Sequence, residues 1–207
     1  AQLPGINQFQ VNEKAGFSFA GALRSLLRQD PDVLMVGEIR DLETATIATQ
    51  AALTGHLVLS TLHTNDAISA VTRLTNMGVE PFLVAAMLRG VLAQRLVRKV
   101  CPHCKESHAP DAHTQNLIRN ATGQTVTELF EGQGCSRCRG TGYAGRVGVF
   151  ELFIPDDVML EKIAAGVTLQ VLRAMAAQSH HAGLREDGIA KAISGITTVD
   201  EVIRATS

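Results

Sequence analysis

The sequence predicts an α/β fold with parallel strands, and three observations support this prediction. The apolar run "VLMV" at 33–36 has the length of one buried strand, and "LVLST" at 57–61 is a second short run rich in β-branched and aliphatic residues. Apolar residues recur at helical spacing before the first run and between the two runs. Helix and strand therefore alternate, as they do along a parallel sheet.

The first two helices have recognisable start and stop signals. Ser18 is expected to cap a helix over 19–28, which Asp30-Pro31 ends. Asp41 is expected to cap "LETATIATQAAL", a helix that stops at Gly55. Together with the two apolar runs, these signals predict helix, strand, helix and strand in the first sixty residues.

Two further helices are predicted before residue 100. Asn65 is expected to cap "DAISAVTRLTNM", with Gly78 as its C-terminal stop. A longer helix is expected from Pro81 to Val100, directly before the first cysteine. We therefore assign residues 1–100 to one α/β region.

The pattern changes after Val100. Residues 101–153 read as turns and short extended pieces, including the polar stretch "SHAPDAHTQNLIRNATGQ". Residues 154–207 return to helical patterns, and Thr198 with Glu201 forms a capping box for the last helix. The sequence thus predicts a small middle module at 101–153 and a helical subdomain at 154–207.

The overall charge excludes several classes of partner. Lys and Arg number 19 against 20 Asp and Glu, so the net charge of −1 gives no general attraction to nucleic acid or anionic lipid. The apolar stretches are interrupted before they reach the length of a membrane span, and no signal segment opens the chain. We therefore expect a cytoplasmic protein.

The four cysteines form two C-x2-C pairs. Cys101 pairs with Cys104 and Cys135 with Cys138, and thirty residues separate the pairs. Without a secretion signal this spacing favours a zinc site over disulfides, and redox-active cysteines are the alternative. Four thiolates leave zinc no open position, so the predicted Zn²⁺ is structural; His103 and His108 are additional ligand candidates that the site does not need.

Polar residues follow both predicted strands. Glu38 comes after the first strand, and Thr61, His63, Thr64 and Asn65 end the second. Many α/β strands end in Asp or Glu, but the carboxyl ends of neighbouring parallel strands are also where open sheets bind ligands. An acidic residue at such a position holds Mg²⁺ or orients the attacking water in P-loop nucleotide hydrolases.

Four segments together resemble one known family. They are "LRQDPDVLMVGEIRDLETA", "TGHLVLSTLHTNDA", "LAQRLVRKVCPHCK" and "GCSRCRGTGYAGRVGVFEL". Their order and spacing resemble the secretion ATPases of type II secretion systems and type IV pilus assembly over essentially the whole chain. The resemblance implies a partial P-loop (RecA-like) ATPase core, then a tetracysteine zinc module and a C-terminal helical subdomain.

The resemblance also implies roles for particular residues. Glu38 matches the Walker B carboxylate, and His63 matches the histidine that faces the γ-phosphate. Arginines of this family lie at the nucleotide or between subunits, although charged residues on a helix are more often merely solvated. The matching arginines here are Arg24, Arg28, Arg40 and Arg146.

As a family member the chain would use ATP, Mg²⁺ and structural Zn²⁺. It would work as part of a homo-hexamer, peripheral to the inner membrane through platform proteins of the secretion or pilus machinery, without nucleic acid. The segment "EPFLVAAMLRGVLAQRLVRKVC" favours type II secretion over pilus assembly.

Two departures from the family pattern matter. The sequence contains no G-x-x-x-x-G-K-[ST] phosphate loop, and the family's upstream acidic box is also missing. We expect that the chain begins inside a longer protein and is inactive alone.

"GTGYAG" at 140–145 fits a dinucleotide fingerprint, but no apolar strand precedes it and no helix follows, so its glycines are interpreted as turns of the cysteine module.

Two other functions remain open from the sequence. "RCRGTGYAGR" is locally basic, as in a zinc ribbon that binds nucleic acid, yet the chain has one Tyr and no Trp for base stacking. A scaffold without enzymatic activity is the other alternative.

Overall fold

The structure is a computed structural model that describes residues 4–12, 14, 16–179 and 181–206. In chain order the elements are α1 (Phe19–Leu27), β1 (Val33–Val36), α2 (Leu42–Leu53), β2 (Leu57–Ser60), α3 (Ser69–Asn76), α4 (Pro81–Met87), β3 (Val91–Val100), β4 (Lys105–His108), α5 (Ala112–Thr122), β5 (Leu129–Gly132), β6 (Tyr143–Phe153), α6 (Asp157–Ala164), α7 (Leu169–Gln178), α8 (Leu184–Ile193) and α9 (Val199–Thr206).

The chain forms two compact units that interleave along the sequence. The first unit comprises the described residues of Ala1–Thr64, Ile68–Arg89 and Pro155–Arg173. The second comprises those of Asn65–Ala67, Gly90–Ile154 and Ala174–Ser207. The predicted division into 1–100, 101–153 and 154–207 describes modules in sequence order, whereas these units are defined by contacts in space. That division therefore stays a prediction.

The first unit contains the predicted parallel pair of strands. β1 and β2 run parallel, with Val33 opposite Leu57 and Val36 opposite Ser60. Ser18 Oγ accepts the Gly21 N–H at the start of α1, at 3.1 Å. Asp41 caps α2 in the same way, as its carboxylate accepts the Thr44 N–H at 2.8 Å. The predicted helix, strand, helix and strand are therefore confirmed.

Among the residues that the structure describes, only one face of β1 is covered. Leu34 and Val36 are buried, whereas Val33 is 56% and Met35 is 72% exposed. The sequence predicted a buried strand, and the structure corrects this: β1 is buried at alternate residues. Its β1–β2 sheet has helices packed on one side, and the alternation of side chains along a strand leaves the other side open.

The predicted helix from Pro81 to Val100 was wrong beyond its first two turns. α4 ends at Met87, and the chain then becomes the long strand β3, which pairs antiparallel with β6. Gly90 interrupts the helical pattern, and "VLAQRLVRKV" carries alternating residues suited to a strand. The pairing with β6 over nearly its whole length satisfies the β3 backbone and overrides local helix preference.

Asn65 does not cap a helix. α3 begins at Ser69 without a side-chain cap, and the Asn65 Oδ1 instead accepts from Arg95 Nη2 at 3.2 Å. A side chain thirty residues away in sequence therefore takes the oxygen that the local pattern assigned to the helix. Gly78 does end the helical segment as predicted, with a φ of +100°.

A helix lies between the cysteine pairs, where only turns and extended pieces were predicted. Asp111 caps α5 by accepting the Thr114 N–H at 2.7 Å, and Gly123 ends it with φ +71°. Both are ordinary helix signals that the polar composition of the segment concealed. The fully buried Ile118 anchors α5 in a core with residues of β5, α8 and α9.

A buried carboxylate joins α9 to β3 in the second unit. Thr198 accepts the Glu201 N–H at 3.2 Å, as the capping box predicted. The Glu201 carboxylate, however, accepts the Arg98 N–H at 3.0 Å and the guanidinium groups of Arg98 and Arg204, at 2.7 and 2.6 Å. Its side chain is fully buried, so the hydrogen bonds from the two arginines replace those that the carboxylate would make with water.

Replacing Glu201 by glutamine is expected to lower the free energy of unfolding at pH 7 by about 3 kcal/mol. The arginines, Arg204 first, hold the pKa of Glu201 well below its ordinary value of 4.5. Such a carboxylate stabilises the fold above its unfolded pKa and loses that contribution as pH falls towards the folded pKa. Urea unfolding should therefore show that the gap between parent and variant narrows below pH 4.5.

The control for this substitution is Asp200→Asn, which changes an exposed carboxylate in the same helix turn. It is expected to leave the unfolding free energy nearly unchanged. Equal unfolding free energies for the two variants would contradict the role assigned to Glu201.

Candidate functional site

The loops after β1 and β2 are joined to each other beyond the strand ladder. Thr61 Oγ1 donates to the Gly37 carbonyl at 2.7 Å, and the Ile39 N–H donates to the Thr61 carbonyl at 3.2 Å. These bonds continue the pairing past the strand ends. They hold the residues that follow each strand at one edge of the sheet.

Glu38 and His63 meet at this edge, as expected for side chains that follow neighbouring parallel strands. Glu38 Oε2 lies 3.2 Å from His63 Nε2 and accepts from Arg40 Nε at 2.7 Å. The Glu38 side chain is 21% exposed, against 69% for Arg40 and 79% for His63. The site is thus a fixed carboxylate flanked by two solvent-facing nitrogen groups.

The neighbours of Glu38 keep it ionised. The hydrogen bond from Arg40 is the largest influence and lowers the pKa of Glu38; His63 acts in the same direction, and partial burial opposes both. A carboxylate in this state is an acceptor for a water molecule or a ligand for a metal ion at neutral pH. The arrangement can therefore orient a polar reactant without first losing a proton.

Replacing Arg40 by glutamine is expected to move the pKa of Glu38 upward, towards its ordinary value, because the largest lowering influence is removed. The measurement is a pH titration of the Glu38 carboxyl carbon by NMR. His63→Gln should produce a shift in the same direction but smaller. A Glu38 pKa that is equal in the parent and the Arg40 variant would contradict the contact.

The structure does not bring every predicted arginine to Glu38. Arg24 instead pairs with Glu43 at 2.8 Å, with both side chains more than half exposed. Arg28 is exposed at the C-cap of α1. Arg146 belongs to the second unit, where it is exposed on β6 opposite Arg98. Their roles at a nucleotide or a subunit contact stay predictions.

His56 lies at the opposite end of β2 and has a local role. Its Nδ1 is 3.0 Å from the Ala51 carbonyl and 3.2 Å from Thr54 Oγ1. These contacts satisfy groups at the C-terminal end of α2. His56 is therefore a structural residue of the turn before β2.

In the second unit the four cysteines converge. The sulfur atoms of Cys101, Cys104, Cys135 and Cys138 all lie within 4.8 Å of one another. The Cys104–Cys138 and Cys135–Cys138 separations are 3.8 and 3.7 Å. Four sulfurs around a tetrahedral zinc at 2.3 Å would lie about 3.8 Å apart, so this donor set fits zinc.

Backbone groups distinguish the sulfurs. The Cys135 N–H, at 3.1 Å, is the main cause that lowers the pKa of Cys138 to about 6, whereas burial raises the pKa of Cys104 to about 12. A bound dication favours the thiolate form of each ligand. The Cys135 N–H thus favours the thiolate form of Cys138, one of the four sulfurs that would face the metal ion.

The candidate histidines stand apart from the sulfur cluster. His103 contacts the Arg137 guanidinium, with Nε2 at 3.0 Å from Nη1, and His108 Nδ1 lies 3.2 Å from the Ala109 carbonyl. Within the part of the chain that the structure describes, the metal-ligating cluster consists of cysteines alone.

Comparison with known proteins identifies the family. A sequence profile described as "Type II/IV secretion system protein" matches residues 1–204. The chain is 54% identical over 206 residues to the type IV pilus assembly ATPase PilB of Thermus thermophilus, covering 99% of this chain and 23% of that protein. It is 49% identical over 204 residues to the type II secretion system ATPase E of Vibrio cholerae, covering 99% of this chain and 40% of that protein.

A solved structure agrees in fold. The crystal structure of the pilus retraction motor PilT with bound ADP matches with a TM-score of 0.62 and 28% identity, over 90% of this chain and 43% of that one. The fold is thus a partial P-loop ATPase core with an added tetracysteine module and C-terminal helices. The chain belongs to the type II/IV secretion system protein family.

The chain spans less than half the length of these relatives. In the described ranges, every helix is too short or too polar to cross a lipid bilayer.

Proposed function

We propose that this chain is the C-terminal part of a hexameric ATPase that powers assembly of a pseudopilus or pilus. The observation that carries the proposal is the contact between Glu38 and His63 at the ends of two neighbouring parallel strands. In P-loop ATPases this edge of the sheet faces the transferred phosphoryl group. The similarity to PilB and to ATPase E supports the same reading.

In this proposal ATP binds at the strand edge. Glu38 orients the water whose oxygen bonds to the γ-phosphorus as the bond to the β,γ-bridging oxygen breaks, so that ADP leaves with that oxygen. The proton of the water passes to an oxygen of the released phosphate, and His63 lies towards the γ-phosphate. Arginines offset the charge that develops on the transferred group. Mg²⁺ would neutralise phosphate oxygens, and Glu38 is the carboxylate that would face it.

We propose that the phosphate loop comes from a part of the full protein outside this chain, because no G-x-x-x-x-G-K-[ST] occurs in these 207 residues. The uncovered face of the β1–β2 sheet supports this division. Val33, Met35, Leu57 and Leu59 are each about half exposed or more, whereas parallel sheets in α/β proteins are covered on both faces. We propose that an upstream region covers this face, supplies the phosphate loop, and is required for activity.

The tetracysteine cluster is proposed to hold structural Zn²⁺ through Cys101, Cys104, Cys135 and Cys138. Zinc would link two segments of the second unit and take no part in hydrolysis, because its four positions are filled. The proposed setting is the cytoplasmic side of the inner membrane, in contact with platform proteins. Type II secretion is the favoured system and pilus assembly the second.

A chimaera tests the proposal. This chain replaces the aligned 204 residues of the Vibrio cholerae ATPase E, and Mg²⁺-dependent release of phosphate from ATP is compared among the chimaera, the Vibrio protein and this chain alone. We expect hydrolysis by the chimaera and none by the chain alone. A chimaera that assembles as the Vibrio protein does but releases no phosphate would overturn the ATPase proposal. Hydrolysis by the chain alone would overturn the requirement for the upstream loop.

A further inference from the structure

Gly142 contacts both halves of the cysteine cluster. We call Cys101–Cys104 the first knuckle and Cys135–Cys138 the second. The Gly142 N–H donates to Cys138 Sγ at 3.3 Å, in the second knuckle. The Gly142 carbonyl accepts the Cys101 N–H at 2.9 Å, in the first knuckle. One residue therefore connects two ligand segments that are more than thirty residues apart in sequence.

The conformation and surroundings of Gly142 require glycine. Its φ is +75°, a left-handed conformation that side chains with a Cβ rarely adopt. A Cβ at this position would lie 2.3 Å from the Gly132 carbonyl oxygen, which belongs to the backbone of β5. Gly142 is buried, so the backbone cannot move outward into solvent to relieve that overlap.

We propose that Gly142 is a positioning residue for the zinc ion; this rests on the proposed tetracysteine site. Its N–H stabilises the Cys138 thiolate and fixes the direction of that sulfur, while its carbonyl fixes the backbone of Cys101. Hydrogen bonds to metal ligands orient them, and loss of such a partner typically costs 10- to 100-fold in metal affinity. Gly142 thereby sets the separation between the two knuckles.

If Gly142 were needed only for its backbone conformation, its replacement would have the same effect as replacing another glycine of similar φ. Gly145 is such a glycine and serves as the control. Gly145 lies three residues further along β6 with a similar φ of +76°, and a Cβ there would meet no atom within 4 Å. Gly145→Ala therefore introduces comparable backbone strain without touching either knuckle. Gly142→Ala introduces the strain and displaces the contacts to Cys138 and Cys101.

The experiment measures zinc affinity by competition with a chromogenic chelator, for the complete 207-residue chain and both variants. We expect Gly142→Ala to weaken zinc binding about 10- to 100-fold and Gly145→Ala to leave it unchanged. The same series loaded with Co²⁺ should show altered thiolate-to-metal absorption in the Gly142 variant alone. Equal zinc affinity in the parent and Gly142→Ala, or equal losses in both variants, would overturn the role of Gly142.

A measurement on the unmutated chain covers the case in which Gly142→Ala does not fold. With ¹¹³Cd bound in place of zinc, the Gly142 amide proton should show scalar coupling to the metal through its hydrogen bond to Cys138 Sγ. A four-sulfur ¹¹³Cd signal without that coupling would overturn the proposal. If the parent binds neither metal, the zinc site itself fails, and the role of Gly142 fails with it.

Discussion

Replacing Glu38 by glutamine in the chimaeric ATPase is expected to reduce ATP hydrolysis by about a hundred- to a thousand-fold. Glutamine keeps the shape of the side chain but removes its negative charge. In the parent this charge lies on the carboxylate that accepts from Arg40 and lies beside His63. It also removes the carboxylate proposed to orient the attacking water. The measurement is the steady-state rate of phosphate release at saturating ATP and Mg²⁺, with nucleotide binding measured separately.

The control is Glu161→Gln, which makes the same chemical change at an exposed position of α6 in the same unit. It is expected to leave the rate unchanged. Binding of ATP should survive in the Glu38 variant, since the phosphate loop is proposed to lie outside this chain. A Glu38 variant with the parent's rate would remove this carboxylate from the reaction, and the scaffold alternative would then gain support.

Removal of zinc from the isolated chain is expected to produce the largest loss of stability. A ligand that binds only the folded state stabilises it by about 4 kcal/mol when its free concentration is a thousand times its Kd. In a unit of about 100 residues, the size of the second unit, each kcal/mol shifts the melting temperature by about 4 °C or more. A chelator, or the substitution Cys138→Ser, should therefore lower the melting temperature of the second unit by about 15 °C or more.

Ser136→Ala provides the matched control for this measurement, because Ser136 is an exposed residue inside the same knuckle. It should retain both zinc and the parent's melting temperature. The chelator should have no further effect on Cys138→Ser. Unchanged melting of the parent after complete removal of the metal would contradict a structural role for zinc.

Local signals predicted the part of the fold where neighbours in sequence are also neighbours in space. The acidic residues around "VLMV" illustrate this. Asp41 is the cap of α2, as its position before an apolar periodic segment indicated. Glu38 forms part of the polar edge, because a parallel neighbour brings His63 to the same end of the sheet. The cap needed only the local sequence, whereas the Glu38–His63 contact needed the expectation that the two predicted strands are parallel neighbours.

Sequence reasoning failed where a distant partner decided the outcome. The stretch after Gly90 is a strand because β6, some fifty residues later, offers it a complete hydrogen-bonding edge. The Asn65 side chain accepts from Arg95 and caps no helix. The Glu201 N–H binds Thr198 as predicted, but the Glu201 carboxylate binds Arg98. The Arg40 contact to Glu38 is a local exception: the two residues lie two positions apart, yet the sequence predicts only a nucleotide or interface role for this arginine.

The tetracysteine site was predictable for a different reason. Two C-x2-C pairs constrain the donor atoms strongly, so the spacing alone indicates which four side chains meet. The glycines that let the two backbone segments approach are less informative in the sequence. Their role depends on Gly132 and Gly142 lying against each other, a contact that no local pattern specifies.

The attachment of α9 to β3 has a consequence for the order of events during synthesis. The backbone next to Cys101 is held by segments about a hundred residues later: the Val100 N–H donates to Ile196, and Arg98 bonds to Thr197 and Glu201. At about 5–20 residues per second, a ribosome needs roughly 5–20 s to add that length of chain. All four cysteines are thus made well before the helix that anchors the first pair. The hydrogen bonds that hold β3 next to the first pair therefore form only after α9 has been synthesised.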